Sequence, residues 1–288
     1  ATVINIVNVI LSYTLIFGNF GFPALGVKGA AWASYIAQAV GALLAMYIML
    51  YRQENLVFWL SGVRMNLADV KQLLGIGLPT AAENLLMQMG QIMVTGLVGS
   101  FGPIALAAHQ QGITAESLSY MPAVGFGIAA TAFVGQSMGA GSTKLAERYV
   151  RELAKWSMIL TAFTASFLLF TPRLVFGLLT DVQEVIDLGA YYLMMMGIAQ
   201  IPQQLTGVFN GALRGAGDTK APMVNGAIGL WGVRIPLSYF LSLNVGWGIF
   251  GVWAAMTIDL FVRFTLSFTR YRRGRWKRHL DHILEAQA

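Results

Sequence analysis

The sequence contains no cysteine and only three histidines, and just 11% of its 288 residues are charged. Without thiols there can be no disulfide and no thiolate metal site. A soluble domain, in which about a quarter of residues carry charge, is excluded by the shortage of Asp, Glu, Lys and Arg. No Walker sequence is present, and Gly215-Ala216-Gly217 lacks the strand and third glycine of a dinucleotide fingerprint. His-Glu-x-x-His is missing too, so an intramembrane metalloprotease has no ligand set. The opening run from Ala1 carries no basic n-region and is read as the start of a fragment, not as a signal peptide.

What the sequence has in abundance is apolar residues, 56% of the total, with a mean hydropathy of +0.62. Uncharged runs cover residues 1–27, 29–51, 84–115, 117–143, 188–213 and 235–258. Each exceeds the roughly 20 residues that cross a bilayer as helix and the ten or so of a barrel strand. Spanning backbone must satisfy its own hydrogen bonds, so the runs predict an all-α polytopic membrane protein. Glycines, prolines and polar clusters divide it into eight transmembrane helices near 1–17, 27–50, 72–99, 104–135, 150–171, 187–213, 222–243 and 248–269. Residues 51–71, with Phe58, Trp59 and Leu60 among charges, are expected to lie along the membrane surface.

Basic residues cluster on every second connection: Arg52, Arg64 and Lys71; Lys144, Arg148, Arg151 and Lys155; Arg214 and Lys220; and six between Arg270 and Arg278. The net charge of +6 is thus a topology signal and not a nucleic-acid footprint, and it places the basic loops and both ends of the sequence in the cytoplasm. Gly21-Phe22, Gly26-Val27 and Ala30 recur as Gly246-Trp247, Gly251-Val252 and Ala255. Six spans separate the copies, which keeps their orientation and predicts two parallel halves. Residues 1–50 would then end one lobe, 51–71 link the lobes, 72–270 form a complete six-helix lobe, and 271–288 make a basic cytoplasmic tail.

An ionisable side chain at mid-membrane is costly, by about 2.5–3.5 kcal/mol on insertion scales, and so marks a candidate site. Glu83, Glu116, Arg234, Asp259 and Arg263 qualify. Asn84, Gln88, Gln91 and Thr95 recur at helical steps along the third span, and His109, Glu116 and Tyr120 share a face of the fourth. Gln200, Gln204, Gly207 and Gly211 do the same in the sixth, with Gln203 beside them. Three converging stripes predict one wet cavity, against the alternative that the amides simply bond between helices. Glu83 is expected to flank that cavity or to face a neighbouring helix. No Lys or Arg lies between residues 72 and 143, so neither glutamate has a local basic partner. An unpaired carboxylate can take up a proton, or with amide oxygens hold sodium. Asp259 and Arg263, four apart, are expected to form a structural charge pair, and Arg234 to bond carbonyls freed by Pro236. Met87, Met89, Met93, Met121 and Met194–Met196 supply soft walls or ordinary packing. A metal site is not expected.

Several strings resemble the multidrug and toxic-compound extrusion (MATE) family. Val134-Gly135-Gln136-Ser137-Met138-Gly139-Ala140-Gly141 and Gly211-Ala212-Leu213-Arg214-Gly215-Ala216-Gly217-Asp218-Thr219-Lys220 are the strongest, and their glycines read as helix ends and reversals. Gly77-Leu78-Pro79, Leu106-Ala107-Ala108-His109-Gln110 and Arg234-Ile235-Pro236-Leu237 support them. The resemblance implies two six-helix lobes around a central cavity, of which this sequence holds helices five to twelve. It also implies export of organic cations or amphipathic drugs in exchange for H+ or Na+, by a monomer in the plasma (inner) membrane with no cofactor. Some members carry Asn-x-x-x-Asp on the fifth helix, where this sequence has Asn8 and Ser12. Others carry an Asp where Gln203 stands. The rival is a lipid-linked oligosaccharide flippase of related fold, whose pyrophosphate substrate calls for cavity Arg or Lys. The three stripes contain none.

Overall fold

The structure is a computed structural model that describes residues 2–18, 23–51 and 67–278. Gly21-Phe22 of the repeat, Arg52, Arg64 and Phe58–Leu60 of the linker, and tail residues 279–288 lie outside the described residues. Those described contain helices and no strand. In chain order they are α1 (Thr2–Phe17), α2 (Val27–Tyr51), α3 (Leu67–Gly99), α4 (Pro103–Gly139), α5 (Thr143–Phe170), α6 (Pro172–Gly177), α7 (Gln183–Gly215), α8 (Lys220–Ala227), α9 (Ile235–Tyr239) and α10 (Ile249–Arg272). π-helical turns at Ile228–Arg234 and Phe240–Asn244 join α8 and α9 into one span, and a 3-10 turn, Arg275–Arg278, follows α10.

Helix ends fall where the sequence supplies their chemistry. Gly102, at φ 104°, precedes Pro103 at the start of α4. Ser142 caps α5 by accepting the Leu145 N–H at 3.3 Å. Gly217, at φ 87°, closes α7 by returning its own N–H to Arg214 and that of Asp218 to Leu213. α3 starts at Leu67, five residues before the expected span, so the last part of the expected linker is helix. The short α6 has no counterpart among the expected spans.

By length and composition, residues 27–48, α5, α7, 220–244 and α10 are each sufficient to cross a membrane among the described residues. α4 adds a sixth if its two parts, bent by 41° around residues 122–123, count as one. α1 is shorter, and Glu83, Asn84, Gln88 and Gln91 lower the hydropathy of α3. The protein is therefore a multi-pass membrane protein.

The chain divides into two compact units, Ala1–Leu67 and Ala68–Ala288. In the first, Gly29 of α2 lies directly on the backbone of Leu15 in α1, and Asn8 donates to Ser34 at 3.2 Å. In the second, α4 and α7 form the central pair. A Cβ on Gly211 would collide with the carbonyl oxygen of Gly127, and one on Gly215 with that of Thr131. Gly127 in turn would come within 3.0 Å of the Gly207 carbonyl. Glycines at steps of four thus bring two backbones together, as small residues do in membranes. This corrects the reading of Gly211 and Gly215 as reversal residues; within the two strings only Gly141 and Gly217 have positive φ. It also removes Gly207 and Gly211 from the polar stripe.

Candidate functional site

A cleft of about 320 Å³ opens among α3, α4, α7, the first π turn and α10. α3 contributes Gln91 and Thr95, and α4 contributes Gln110, Glu116 and Tyr120. From α7 come Tyr192, Met196 and Gln203, while Met256 and Leu260 of α10 close the apolar side. Arg234 completes the wall.

Glu116 is the centre of this arrangement. Its Oε2 accepts the Tyr192 hydroxyl at 2.7 Å and its Oε1 accepts the Gln200 amide at 3.0 Å. The same amide lies 3.5 Å from Gln203 Oε1. Glu116 is 6% exposed, and Tyr192 and Gln200 are fully buried. The carboxylate therefore has two neutral donors and, among the described residues, no ion-pair partner.

Arg234 is held differently from the expectation. Its Nε donates to Asp259 Oδ2 at 2.7 Å rather than to carbonyls freed by Pro236. Asp259 also accepts Arg263 Nε at 2.6 Å, so the expected charge pair is a triad. Asp259 is fully buried, and the first π turn explains the fit: Gly229 packs against both Asp259 and Arg263, leaving no room for a side chain. Arg263 reaches on to the Met87 sulfur at 3.4 Å. With Glu116 ionised, two arginines face two carboxylates and the local sum is zero. Protonating Glu116 leaves one positive charge.

Glu83 lies elsewhere. Both its oxygens accept from Arg214 Nη2, at 2.8 and 2.7 Å, tying α3 to the last turn of α7. The expectation of an acid without a basic partner thus fails for Glu83, because a partner 131 residues away is invisible to a search within the span. The stripe on α3 also divides: Gln91 and Thr95 line the cleft, whereas Asn84 and Gln88 are exposed outside it.

His109 is not a cleft residue. It is fully buried behind Tyr192, whose ring meets it edge-on at 5.7 Å. The Trp253 indole donates to His109 Nδ1 at 3.3 Å, which leaves the ring proton on Nε2. Gln204, on the same α7 face as Gln200, is also buried away from the cleft, and Gln203 is the residue presented to it.

Tyr192, Met196, Arg234 and Gln110 also line the wall and lie outside the stripes legible in the sequence. Tyr192 stands eleven residues before Gln203, which returns a helix to nearly the same angle. Extending the Gln203 face backwards finds it, and finds Met196 seven residues before, a methionine already expected as soft wall or packing. Arg234 carries a different expected role, and Gln110 stands out in the sequence only within a family string. No cluster of three or more His, Cys, Asp or Glu suited to a metal occurs among the described residues.

A family model described as MatE matches residues 79–240. A probable multidrug resistance protein NorM of Thermotoga maritima is 31% identical over 274 residues, covering 95% of this chain and 59% of that protein. An uncharacterized transporter, YisQ, of Bacillus subtilis is 30% identical over 94% of this chain and 60% of its own length. This chain therefore spans about three fifths of the curated relatives it matches. A crystal structure of MATE in the bent conformation superposes with a TM-score of 0.84 at 18% identity, over 98% of this chain and 62% of that one. A MOP superfamily transporter from Pyrococcus furiosus, for which a binding pocket of reversed polarity is described, gives 0.86, also at 18%.

Proposed function

The chain belongs to the MatE family, and from that premise we propose that it is part of a two-lobe secondary antiporter exporting organic cations and amphipathic drugs against an inward ion flux. The multidrug resistance names of several relatives support the substrate class. The basic loops support a plasma (inner) membrane location with both ends of the sequence in the cytoplasm. Residues 1–50 end the first lobe and 72–270 form the second.

The observation that carries the reading is Glu116, an acid on the cleft wall with neutral donors on both oxygens. When it is ionised, its charge cancels the excess of the Arg234–Asp259–Arg263 triad, and the cleft tolerates a cation. When it is protonated, the residual positive charge expels one. Proton and cationic substrate therefore exclude each other, which is the requirement of an antiporter. A proton suits the site better than sodium, because the Tyr192 hydroxyl can accept as well as donate and so can turn to receive a protonated Glu116, whereas sodium would need both donors displaced from the carboxylate. A pyrophosphate-bearing lipid suits it less: Arg234 does line the wall, contrary to expectation, but its charge is balanced locally.

The test is efflux from proteoliposomes containing the two-lobe protein with this segment, under proton and sodium gradients imposed separately. The parent should respond to the proton gradient, and Glu116→Gln should lose gradient-driven efflux at unchanged protein content. Parent-like efflux by the variant would remove Glu116 from coupling, and efflux driven by sodium alone would overturn the proton assignment.

A further inference from the structure

A second cavity, of about 480 Å³, lies between the first turns of α5, Phe209 of α7 and the end of α10. Its floor is apolar: Val150 and Phe209 are buried, and Ala154 and Met158 extend it along α5. Its rim is cationic. Arg151, Lys155 and Arg272 stand exposed around it, and among the described residues none of the three makes an ion pair.

A fourth cation reaches the rim through a chain reversal. Gly274, at φ 68°, turns the backbone after α10. Trp276 is then buried to 1% exposure, stacks on Tyr271 at 5.5 Å and 8°, and donates its indole N–H to the Tyr271 carbonyl at 3.0 Å. This anchor holds the 3-10 turn and brings Lys277 onto Glu147 of α5. Part of the Arg-rich tail, read in the sequence only as a membrane-flanking cluster, is thus folded back as one wall of a cavity. Four cations meet one carboxylate there, the opposite polarity to a site for organic cations.

The position identifies the ligand. The cavity sits where α5 and α10 carry their basic turns, the part of a span that meets lipid headgroups, and Ala154 and Met158 continue its apolar floor along α5. We propose that this cavity binds an anionic phospholipid, its phosphodiester held by Arg151, Lys155 and Arg272 and the start of an acyl chain lying over Val150, Ala154 and Phe209. Free phosphate would use the rim and leave the floor wet, so the apolar floor assigns the phosphate to a lipid. Which leaflet it occupies rests on the orientation proposed above; binding itself does not.

The test uses the full chain, purified and delipidated in detergent, with lipid retention counted by native mass spectrometry. Phosphatidylglycerol should be retained at a concentration at least tenfold lower than phosphatidylcholine, and glycerol phosphate should not displace it. Each cation removed should weaken retention on the order of fivefold. Arg151→Gln/Lys155→Gln/Arg272→Gln should therefore bind the two lipids alike. Lys144→Gln/Arg148→Gln/Lys220→Gln, an equal charge change outside the cavity, should keep the preference. Should the first triple variant not fold, Lys155→Gln alone should show the single fivefold step. Equal retention of both lipids by the parent, equal loss in the control variant, or displacement by glycerol phosphate would each overturn the assignment. None of these readouts involves efflux, so this proposal and the antiporter reading fail independently.

Discussion

Arg214, in the last turn of α7, closes on both carboxylate oxygens of Glu83 in α3 through a single nitrogen, at 2.7 and 2.8 Å. Two helices far apart in sequence are thereby clamped at the point where the glycine-rich loop begins. Glu83 is about nine-tenths buried and Arg214 over a third exposed, so the clamp lies between a surface pair and a core pair. A double-mutant cycle of Glu83→Ala and Arg214→Ala should give a coupling of roughly 1–2 kcal/mol in unfolding measurements. Additive effects would mean that the pair contributes nothing.

Tyr192 acts on Glu116 from a fully buried position. Tyr192→Phe removes one donor from the carboxylate and leaves the ring contacts with His109 and Trp253 in place. The pH midpoint of efflux should shift while maximal efflux and protein content stay near the parent. An unchanged pH profile would show that the hydroxyl does not tune the acid.

Asp259 pairs with two arginines at once. Asp259→Asn would strand both in the interior, where breaking a buried pair costs about 3–5 kcal/mol. Membrane content should fall sharply. Arg263→Met, which leaves the Arg234–Asp259 pair intact, should fall less, and equal losses would argue against a shared triad.

Gly211 has no space for even a methyl group against Gly127, while a methyl group on Gly139 would meet nothing within 4 Å. Gly211→Ala should destabilise by roughly 1–3 kcal/mol through overpacking, with Gly139→Ala close to neutral. Thermal unfolding in detergent would compare them, and equal midpoints would contradict the close approach.

Because the sequence lacks cysteine, single labels can be introduced directly. Lys144→Cys and Trp247→Cys, both at exposed positions, should react from opposite sides of the membrane, Lys144→Cys from the cytoplasm. Reaction from one side would break the span count.

Much of this architecture is legible in the residues because lipid imposes a simple rule on length and charge. The expected span at 27–50 is α2 almost to the residue, and Pro103 and Gly217 bound helices where their backbone preferences require. Period singles out Gln91 and Thr95 on α3 and Glu116 and Tyr120 on α4, and these four meet in one cleft. It fails where two roles share a period: Gln200 and Gln204 follow the face that packs on α4, and a buried packing face and a wet face repeat alike. It also fails for Glu83 and Arg234, whose partners are 131 and 25 residues away, whereas the Asp259–Arg263 pair, four residues apart, is legible. The π turns at 228–234 and 240–244 escape any reading that assumes 3.6 residues per turn.

The backbone-to-backbone seam of α4 and α7 bears on how the acid travels. Where carbonyls abut glycine Cα atoms there are no rotamers to readjust, so the two helices cannot creep past each other by fractions of a turn. In a rocking movement of the kind proposed above they would swing as one lever. On the other side of the bend at 122–123, Glu116 is tied to the same partner helix by Tyr192 and Gln200, and Gly112 of α4 lies directly on the Tyr192 ring. In any larger rocking movement the carboxylate is thus ferried with its own substitute for a hydration shell, and only what faces it across the cleft changes.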